Sequence, residues 1–205
     1  MDAATVVLDG EDMRRALKRI AHEIAEKNPA RPQQSSANAE RSPFGAESVA
    51  LVGIHRRGAI LARRLHALTS ELLDTEVPLG ELDIAFYRDD LGMRPSAPVV
   101  HSTQLDFPLD GRTIVIVDDV LYTGRTVRAA VDAIFDYGRP ARIQLAVMID
   151  RGHRELPIRP DYVGKNLPTS KQQRVNVHVE ELDGVDEVAL GPAFALPHAT
   201  EGAER

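Results

Sequence analysis

The chain has 205 residues, no cysteine and a formal net charge of −6. This length suits one α/β domain with a small appendage. The absence of cysteine excludes disulfides and thiolate chemistry. The negative net charge argues against nucleic-acid binding by the surface as a whole. Neither a long apolar segment nor a signal-type amino terminus is present, so we expect a cytoplasmic protein that does not enter a membrane.

An amphipathic helix is predicted from Met13 to about Lys27, with Asp9 as its N-cap. Its polar side carries basic residues three or four positions apart, so that they share one face: Arg15, Lys18, Arg19 and His22. Taken alone, this pattern favours an ordinary solvated face. The following segment, 28–47, is rich in Pro, Gln and Ser and lacks apolar periodicity, which predicts a disordered insertion.

The next unit is a strand, a basic turn and a helix. Val49 to Ile54 is an apolar run typical of a buried strand, and a helix is predicted from Ala59 to about Leu72. The short turn between them is His55-Arg56-Arg57-Gly58. Its cations can neutralise an anionic ligand, and its glycine permits close approach of the backbone.

A further strand is predicted from Leu79 to Tyr87, followed by a charged, Pro-containing loop at about 88–101. This loop is too polar for the core and suits a flexible cover over a binding site. Its first residue, Arg88, is equally compatible with a ligand contact and with a structural salt bridge. Val99 to Leu105 is the candidate returning strand.

The most informative segment runs from Thr113 to Val127. Its apolar, β-branched run predicts a central strand of a parallel sheet, and Asp118 and Asp119 follow at the strand's carboxyl end, where α/β folds bind ligands. Two carboxylates there can accept hydrogen bonds from ribose hydroxyls and attract a divalent cation. The turn Tyr122 to Thr126 opens a helix and can cradle a phosphate through its backbone N–H groups.

The acidic pair alone also occurs in receiver domains and haloacid-type hydrolases. The additional Thr-Gly-Arg-Thr turn makes the segment resemble the phosphoribosyl diphosphate (PRPP) signature of type I phosphoribosyltransferases. That resemblance implies an α/β, Rossmann-like fold with a mostly parallel sheet flanked by helices and a small hood subdomain. PRPP also carries a pyrophosphate, for which His55 to Gly58 is the candidate clamp and Arg88 a candidate partner.

The rest of the chain is expected to complete this one domain, 1–205. Ile143 to Asp150 is a predicted buried strand, and Arg151 to Thr169 is predicted to be irregular. Strands near Arg174 to Val179 and Glu187 to Leu190 would close a hood formed mainly by about 151–190, before a disordered tail at 191–205.

Two further blocks are more specific than the PRPP signature: His153-Arg-Glu-Leu-Pro-Ile-Arg159 and Gly164-Lys-Asn-Leu-Pro-Thr-Ser170. With Leu82 to Leu91 and the opening helix, they make the chain similar to the PyrR family of bifunctional pyrimidine operon regulators from about residue 7 to 188. The resemblance implies uracil phosphoribosyltransferase activity, in which uracil and PRPP give UMP and diphosphate with Mg²⁺. It also implies UMP-dependent binding of a stem-loop in the leader of pyrimidine mRNA, and a homodimer or higher homo-oligomer.

The same resemblance implies roles for individual residues. Asp118, Asp119 and Arg88 are the catalytic candidates, and the two aspartates are the candidate Mg²⁺ ligands, directly or through water. The residues implied to bind PRPP or UMP are His55, Arg56, Arg57, Gly58, Asp118, Asp119, Val120, Leu121, Tyr122, Thr123, Gly124, Arg125, Thr126, Arg151 and Val175, the last two beside the base. Those implied to bind RNA are Arg15, Lys18, Arg19, His22, His153, Arg154, Arg159 and Lys165. Arg56 and Lys18 differ from the small or neutral residues usual at these positions.

Three functions therefore compete: a bifunctional enzyme and RNA regulator, a plain salvage enzyme for uracil or purines, and an RNA regulator with vestigial catalysis. The intact PRPP signature argues against the third and the Arg-Gly-His-Arg-Glu-Leu block against the second. The first is the hypothesis that the sequence favours.

Overall fold

The computed structural model of the chain describes residues 4–29, 49–87 and 102–192. The predicted loop at 88–101 with Arg88, nearly all of the insertion at 28–47 and the tail beyond 192 lie outside the described residues. Within those ranges, no helix combines the length and the apolar character needed to cross a membrane.

A five-stranded parallel sheet forms the centre of the molecule, in the order β3-β2-β4-β5-β6. Its strands are β2 (Val49–Ile54), β3 (Leu79–Leu82), β4 (Thr113–Leu121), β5 (Arg142–Asp150) and β6 (Tyr162–Asn166). The helices are α1 (Gly10–Lys27), α2 (Arg57–Leu73) and α3 (Arg125–Tyr137). Asp9 caps α1 as predicted, through a reciprocal capping box with Asp12.

Both faces of this sheet are buried. Val115 and Val117 of β4 belong to one apolar cluster with the inward residues of α1 and α2, while Ile114 and Ile116 belong to a second cluster with those of α3. This alternation follows from the two-residue period of a strand. A strand covered on both faces must be apolar throughout, which explains the uninterrupted run before Asp118.

A separate antiparallel sheet of three strands lies beside the main sheet, in the order β1-β8-β7. Its strands are β1 (Thr5–Leu8), β7 (Gln173–His178) and β8 (Glu187–Pro192), and the short helix α4 (Glu180–Asp183) joins the last two. The predicted carboxyl-terminal strands are thus present, within a residue or two. The amino-terminal strand β1 was not predicted and pairs with β8.

Several local predictions were wrong. The stretch from Arg151 to Thr169 is not irregular throughout, because Tyr162–Asn166 forms the edge strand β6. Helix α2 begins at Arg57, so the basic turn is shorter than expected. The strand predicted to reach Tyr87 ends at Leu82 and is followed by a 3₁₀ turn at Ala85–Tyr87. Of the returning strand, the described part holds one bridge, between Glu81 and Gln104.

Arginines of α2 fasten the small sheet to the main one. Arg64 binds Asp186 and Glu181, with its Nη2 2.8 Å from Asp186 Oδ1 and 2.6 Å from Glu181 Oε2. Burial raises the pKa of Asp186, but the hydrogen bonds from Arg64, the backbone hydrogen bond from Glu180 and the charge of Arg64 together keep the pKa below its usual value. The hydrogen bond from Arg64 likewise lowers the pKa of Glu181.

These pairs predict a specific acid sensitivity. Because the folded-state pKa values are lowered, the pairs stabilise the protein fully above the unfolded values, 3.8 for Asp186 and 4.5 for Glu181, and lose that contribution as the pH falls through the folded values. We expect Arg64→Met to lower the free energy of unfolding at neutral pH by about 1–2 kcal/mol, since the pairs are partly exposed. Denaturant titrations between about pH 6 and pH 3 should show a smaller acid-induced loss in the variant than in the wild type.

The matched control is Arg128→Met on α3, which removes a surface pair with Asp132 whose side chains are both about half exposed. This control should change stability by less than about 1 kcal/mol. Equal acid losses in the wild type and in Arg64→Met would contradict the role given to Arg64.

Candidate functional site

A cleft of about 450 Å³ opens at the carboxyl ends of β2, β3 and β4. Its lining residues are Ile54, His55, Arg56, Arg57, Ile84, Asp118, Asp119, Val120 and Thr126. The basic turn and the acidic pair, about 60 residues apart in the chain, therefore face one another across one cleft. The helices α2 and α3 both begin at this cleft, so their amino-terminal dipoles add positive potential to it.

The acidic pair is held by its own backbone. The side chain of Asp118 is 6% exposed, and its Oδ1 accepts a hydrogen bond from the backbone N–H of Asp119 at 2.9 Å. Asp119 Oδ1 accepts in turn from the N–H of Val120 at 2.8 Å. Each carboxylate is thereby oriented through one of its oxygens.

Magnesium fits this arrangement only together with a ligand. No cluster of three or more His, Cys, Asp or Glu side chains suitable for a metal occurs among the described residues. Mg²⁺ is commonly held by one or two carboxylates, with waters and substrate phosphates completing its octahedron. Asp118 and Asp119 match that donor set, and they would hold the ion directly or through water.

The basic turn is brought to the acidic pair by a glycine contact. A Cβ atom built on Gly58 would lie 2.5 Å from the carbonyl oxygen of Val117 and 3.2 Å from Cα of Asp118, so no larger residue fits without movement of β4.

The first two residues of the basic turn are His55 and Arg56, and the peptide bond between them is cis. His55 Nε2 lies 3.4 Å from Glu81, which also pairs with Arg63. Arg56 is exposed at the mouth of the cleft.

Arg57 makes a bidentate contact with the small sheet. Its Nη2 and Nε lie 2.7 and 3.2 Å from the two carboxylate oxygens of Asp183 on α4. Burial raises the pKa of Asp183, but the hydrogen bond from Arg57 and one from the backbone of Val179 hold it below its usual value. One of the predicted pyrophosphate residues thus also anchors the small sheet.

The predicted phosphate loop is a tight turn between β4 and α3. Gly124 has a φ of 93°, which favours glycine, and it is the N-cap of α3. The N–H of Arg125 lies 3.4 Å from Thr123 Oγ1. The first turn of α3 contains Arg125 and Thr126. The first N–H groups of a helix lack partners within the helix, so this end can donate to a phosphate. Tyr122 and Thr123 complete the loop, while Val120 and Leu121 still belong to β4.

Arg151 and Val175, the predicted base-site residues, are both buried. The guanidinium of Arg151 lies 4.3 Å from the ring centre of Tyr122 and donates to Thr169 Oγ1, at 3.1 Å, and to the carbonyl of Gln173, at 2.8 Å. Arg151 therefore joins the phosphate loop to the segment that leads into β7. Val175 lies in β7 and pairs with Leu190 of β8.

The predicted RNA-binding residues of α1 meet Lys165 of β6. Arg15, Arg19 and Lys165 line a shallow depression of about 310 Å³. Arg19 also has a structural role, since its Nη2 donates to the carbonyls of Val163 and Gly164, both at 2.8 Å. Lys18 and His22 are exposed on the same helix. The structure thus brings Arg15, Arg19 and Lys165 together, and helical spacing puts Lys18 and His22 on the same side of α1.

The three remaining RNA candidates lie on the segment after β5 and differ from one another. Arg159 is exposed. His153 is partly buried, and its Nε2 is hydrogen-bonded to the carbonyl of Thr169. Arg154 uses Nε, Nη1 and Nη2 in bonds to protein atoms, among them Asp150 Oδ2 and the carbonyl of Tyr122.

Sequence reasoning missed Ile84 in the lining of the cleft, Glu81 beside His55, and Asp150 and Glu155 beside the phosphate loop. Ile84 follows the carboxyl end of β3, which is at Leu82. Residues just after strand ends line the sites of α/β folds, so a correct prediction of the end of β3 would have located Ile84 in the cleft. Glu155 pairs with Arg125 across two segments that are 30 residues apart, a contact for which the sequence carries no local signal.

Comparison with known proteins identifies related chains. Residues 12–182 match the model of the phosphoribosyl transferase domain family. The chain is 58% identical over 178 residues to the bifunctional protein PyrR of Roseiflexus sp. strain RS-1, covering 87% of this chain and 89% of that protein. It is 52% identical over 184 residues to the bifunctional protein PyrR of Acetivibrio thermocellus, covering 90% and 92% of the two chains.

Solved structures resemble the fold at low identity. The hypoxanthine phosphoribosyltransferase of Trypanosoma cruzi superimposes with a TM-score of 0.64 and 18% identity, covering 92% of this chain and 96% of that one. A hypoxanthine phosphoribosyltransferase from Staphylococcus aureus gives a TM-score of 0.61 and 16% identity, covering 90% of both chains. The predicted α/β fold of type I phosphoribosyltransferases is confirmed.

The contact of Gly58 with β4 predicts a large effect of one methyl group. We expect Gly58→Ala to lower the free energy of unfolding by about 1–3 kcal/mol, because the new Cβ must displace the backbone at Val117. Gly191→Ala is the matched control, since its Cβ would meet only Ala4, at 3.7 Å. Thermal and denaturant unfolding of the two variants measures the difference. Equal stability of both variants would refute the proposed close approach.

Proposed function

Because the chain belongs to the PyrR family of bifunctional phosphoribosyltransferase-fold proteins, we propose that it joins uracil to PRPP, giving UMP and diphosphate, and binds a pyrimidine mRNA leader in response to UMP. The family assignment made from the sequence is confirmed by these relatives. The observation that carries the proposal is the meeting of the basic turn and the acidic pair in one cleft of such a chain.

In this proposal the ribose phosphate of PRPP lies over the carboxyl end of β4. The carboxylates of Asp118 and Asp119 accept hydrogen bonds from the ribose hydroxyls. Backbone N–H groups and hydroxyls of Tyr122 to Thr126 surround the 5-phosphate at the start of α3, where the helix dipole favours a dianion. The depth of Asp118 keeps its carboxylate oriented, so little reorganisation is needed when the ligand arrives.

The pyrophosphate of PRPP lies against the basic turn on the opposite wall. Departure of diphosphate leaves positive charge on the ribose ring and places negative charge on the leaving group. The guanidinium groups of Arg56 and Arg57 and the carboxylates of Asp118 and Asp119 therefore stabilise opposite ends of the breaking bond. Mg²⁺, when bound, supplies further neutralisation of the leaving diphosphate. Arg88 is proposed to reach the same group from a loop that closes over the site and excludes water.

The base is proposed to lie near Arg151 and the backbone at Val175. Arg151 is buried and its guanidinium is held by three protein oxygens, which keeps it in one orientation. A side chain that only donates cannot by itself separate uracil from cytosine, so backbone donors and acceptors along β7 must read the uracil edge.

The RNA partner is proposed to contact the surface formed by Arg15, Lys18, Arg19, His22 and Lys165, extended by His153 and Arg159. Phosphate neutralisation by these cations supplies affinity in an otherwise acidic protein, and unpaired loop bases supply sequence specificity. A homodimer or larger homo-oligomer would double this surface for one stem-loop. Because a nascent mRNA leader is a cytoplasmic ligand, the proposal includes a cytoplasmic location.

The enzymatic half predicts selective turnover of uracil. Purified protein with PRPP and Mg²⁺ should convert uracil to UMP, while hypoxanthine and guanine should react at least about a hundredfold more slowly, because they fail to match the uracil edge. Release of diphosphate and separation of nucleotides measure the rates. Exclusive turnover of a purine would replace this assignment with a purine salvage enzyme.

The acidic pair is tested in the same assay. Asp119→Asn should lower kcat/KM for PRPP by about a hundredfold or more, because it removes a negative charge that faces the positive ribose. Asp132→Asn, on the exposed side of α3, is the matched control and should retain wild-type activity. Equal activities of the two variants would contradict the role of Asp119.

The regulatory half predicts a UMP-dependent and salt-dependent complex with the leader RNA of the organism's own pyrimidine genes. Lys165→Gln should weaken binding and reduce the slope of log affinity against log salt by about one unit, as expected for one lost phosphate contact. Lys165 is better suited to this test than Arg19, whose removal would also break two hydrogen bonds between α1 and β6. Arg139→Gln, an exposed change just after the carboxyl end of α3, should leave both quantities unchanged. An affinity that does not respond to UMP would leave only the enzyme.

A further inference from the structure

We propose that Arg154 is a positioning residue that couples the phosphate loop to the RNA-facing segment 152–159, and that it does not itself contact RNA. This inference rests on the proposed function, because it concerns how UMP in the cleft affects RNA binding elsewhere. It also changes the role that the sequence suggested for Arg154.

The first observation is the set of atoms that Arg154 joins. Its Nη1 donates to the carbonyl of Leu121, the last residue of β4, at 3.4 Å, and to that of Tyr122, the first residue of the phosphate loop, at 2.8 Å. Its Nε donates to the carbonyl of Ile158 at 3.0 Å, and its Nη2 binds the carboxylate of Asp150 at the end of β5. One guanidinium therefore holds together the phosphate loop, the end of a central strand and the residue before Arg159.

The second observation is an independent set of contacts between the same two segments. The carbonyl of Thr123 in the phosphate loop accepts hydrogen bonds from the N–H groups of Glu155, at 3.0 Å, and Leu156, at 3.1 Å. The side chain of Glu155 also lies 2.8 Å from Nε of Arg125, in the first turn of α3. The loop that would surround the phosphate is thus bound on its outer side by the segment 152–159.

The phosphate loop and the segment 152–159 are also close to each other in space. A Cβ on Gly124 would lie 3.3 Å from Cδ1 of Ile158 and 3.4 Å from Cβ of Leu156, so a side chain at this position would press on the segment. The ring of His153 meets the ring of Tyr122 edge-on, with centroids 5.9 Å apart. A displacement or ordering of the phosphate loop by a bound phosphate must therefore be transmitted to this segment.

The same segment carries two of the proposed RNA-binding residues. His153 precedes Arg154, and Arg159 follows Ile158, whose carbonyl Arg154 holds. A nucleotide that displaces the phosphate loop would displace both positions. A change in the RNA affinity of these positions caused by UMP is a coupling free energy between the two ligands.

Arg154 is poorly suited to direct contact with RNA. Its side chain is 21% exposed and that of Asp150 is 16% exposed. Turning the guanidinium toward an RNA phosphate would leave the Asp150 carboxylate and the carbonyls of Tyr122 and Ile158 without this donor in a partly buried place. Arg159 is exposed, and its side chain makes no hydrogen bond or ion pair within the described ranges, so it is the natural contact.

The test compares Arg154→Gln with Arg159→Gln. UMP affinity is measured by calorimetry without RNA, the KM for PRPP and kcat are measured separately, and RNA affinity is titrated at several salt concentrations with and without UMP. We expect Arg154→Gln to weaken UMP binding and raise the KM for PRPP by about tenfold, and to abolish the gain in RNA affinity caused by UMP. Its UMP-free RNA affinity and salt slope should equal those of the wild type.

Arg159→Gln should show the opposite pattern: an unchanged UMP affinity and a salt slope lower by about one unit with or without UMP. The proposal is overturned if Arg154→Gln binds UMP like the wild type but loses a unit of salt slope, since that is the signature of a phosphate contact. It is also overturned if Arg154→Gln leaves every one of these quantities unchanged.

Two further variants keep the test decisive if Arg154→Gln does not fold. Glu155→Gln removes the exposed pair with Arg125 from the same junction and should weaken UMP binding in the same direction by a smaller factor; an unchanged UMP affinity there would overturn the proposal. Arg154→Lys retains the positive charge but lacks the planar guanidinium that reaches several acceptors at once. It should restore stability but not the gain in RNA affinity caused by UMP. If the wild type binds UMP and no leader RNA, the regulatory function fails, while the UMP affinity of Arg154→Gln still decides its positioning role.

Discussion

The parallel pairing of β2 with β4 is the constraint on which the cleft depends. Gly53 lies opposite Val117 in this pair, and a side chain on Gly53 would strike the backbone of Ala59 at the start of α2. Gly58 then packs on the carbonyl of Val117. Two glycines thus let one helix begin against the neighbouring strand. The basic turn and the acidic pair share a cleft because there is no side-chain volume between these backbones.

A second theme is the structural use of arginine. Arg57 and Arg64 connect α2 to the small sheet, Arg19 connects α1 to β6, and Arg154 connects the phosphate loop to the end of β5. Each guanidinium binds carboxylates or carbonyls outside its own element, which its planar array of N–H donors allows. Some of the cations that the sequence predicts to bind ligands therefore stabilise the fold. The same guanidinium can connect a ligand-binding loop to the strands beside it.

This arrangement also explains how an acidic chain can present a basic face. The cations of α1 and Lys165 of β6 are distant in sequence, and they meet because α1 packs beside the edge strand β6. Their field is local and is screened over roughly 10 Å at ordinary salt, so the net charge of the whole chain has little influence on it. The net charge of the chain thus predicts whether the whole surface attracts nucleic acid non-specifically, but it does not predict the charge of this local surface.

The amino-acid sequence by itself determined the elements with strong local signals. The apolar runs at Val49–Ile54 and in β4 and β5 define buried strands, Asp9 starts α1, and the Asp-Asp and Thr-Gly-Arg-Thr order marks the ligand site, because each signal lies within one short segment. The family was also recognisable from such contiguous blocks.

Tertiary structure alone decided what joins distant segments. The edge strand β6 has only one buried residue, Tyr162, and the outer strand β1 one, Leu8, so neither shows the pattern of a core strand, and both form because a neighbour offers its hydrogen-bonding edge. The structural roles of Arg57, Arg19 and Arg154 likewise depend on partners in other segments. Local patterns report propensity and burial, whereas the partner of an edge strand or a guanidinium is set by packing, which a linear pattern does not encode.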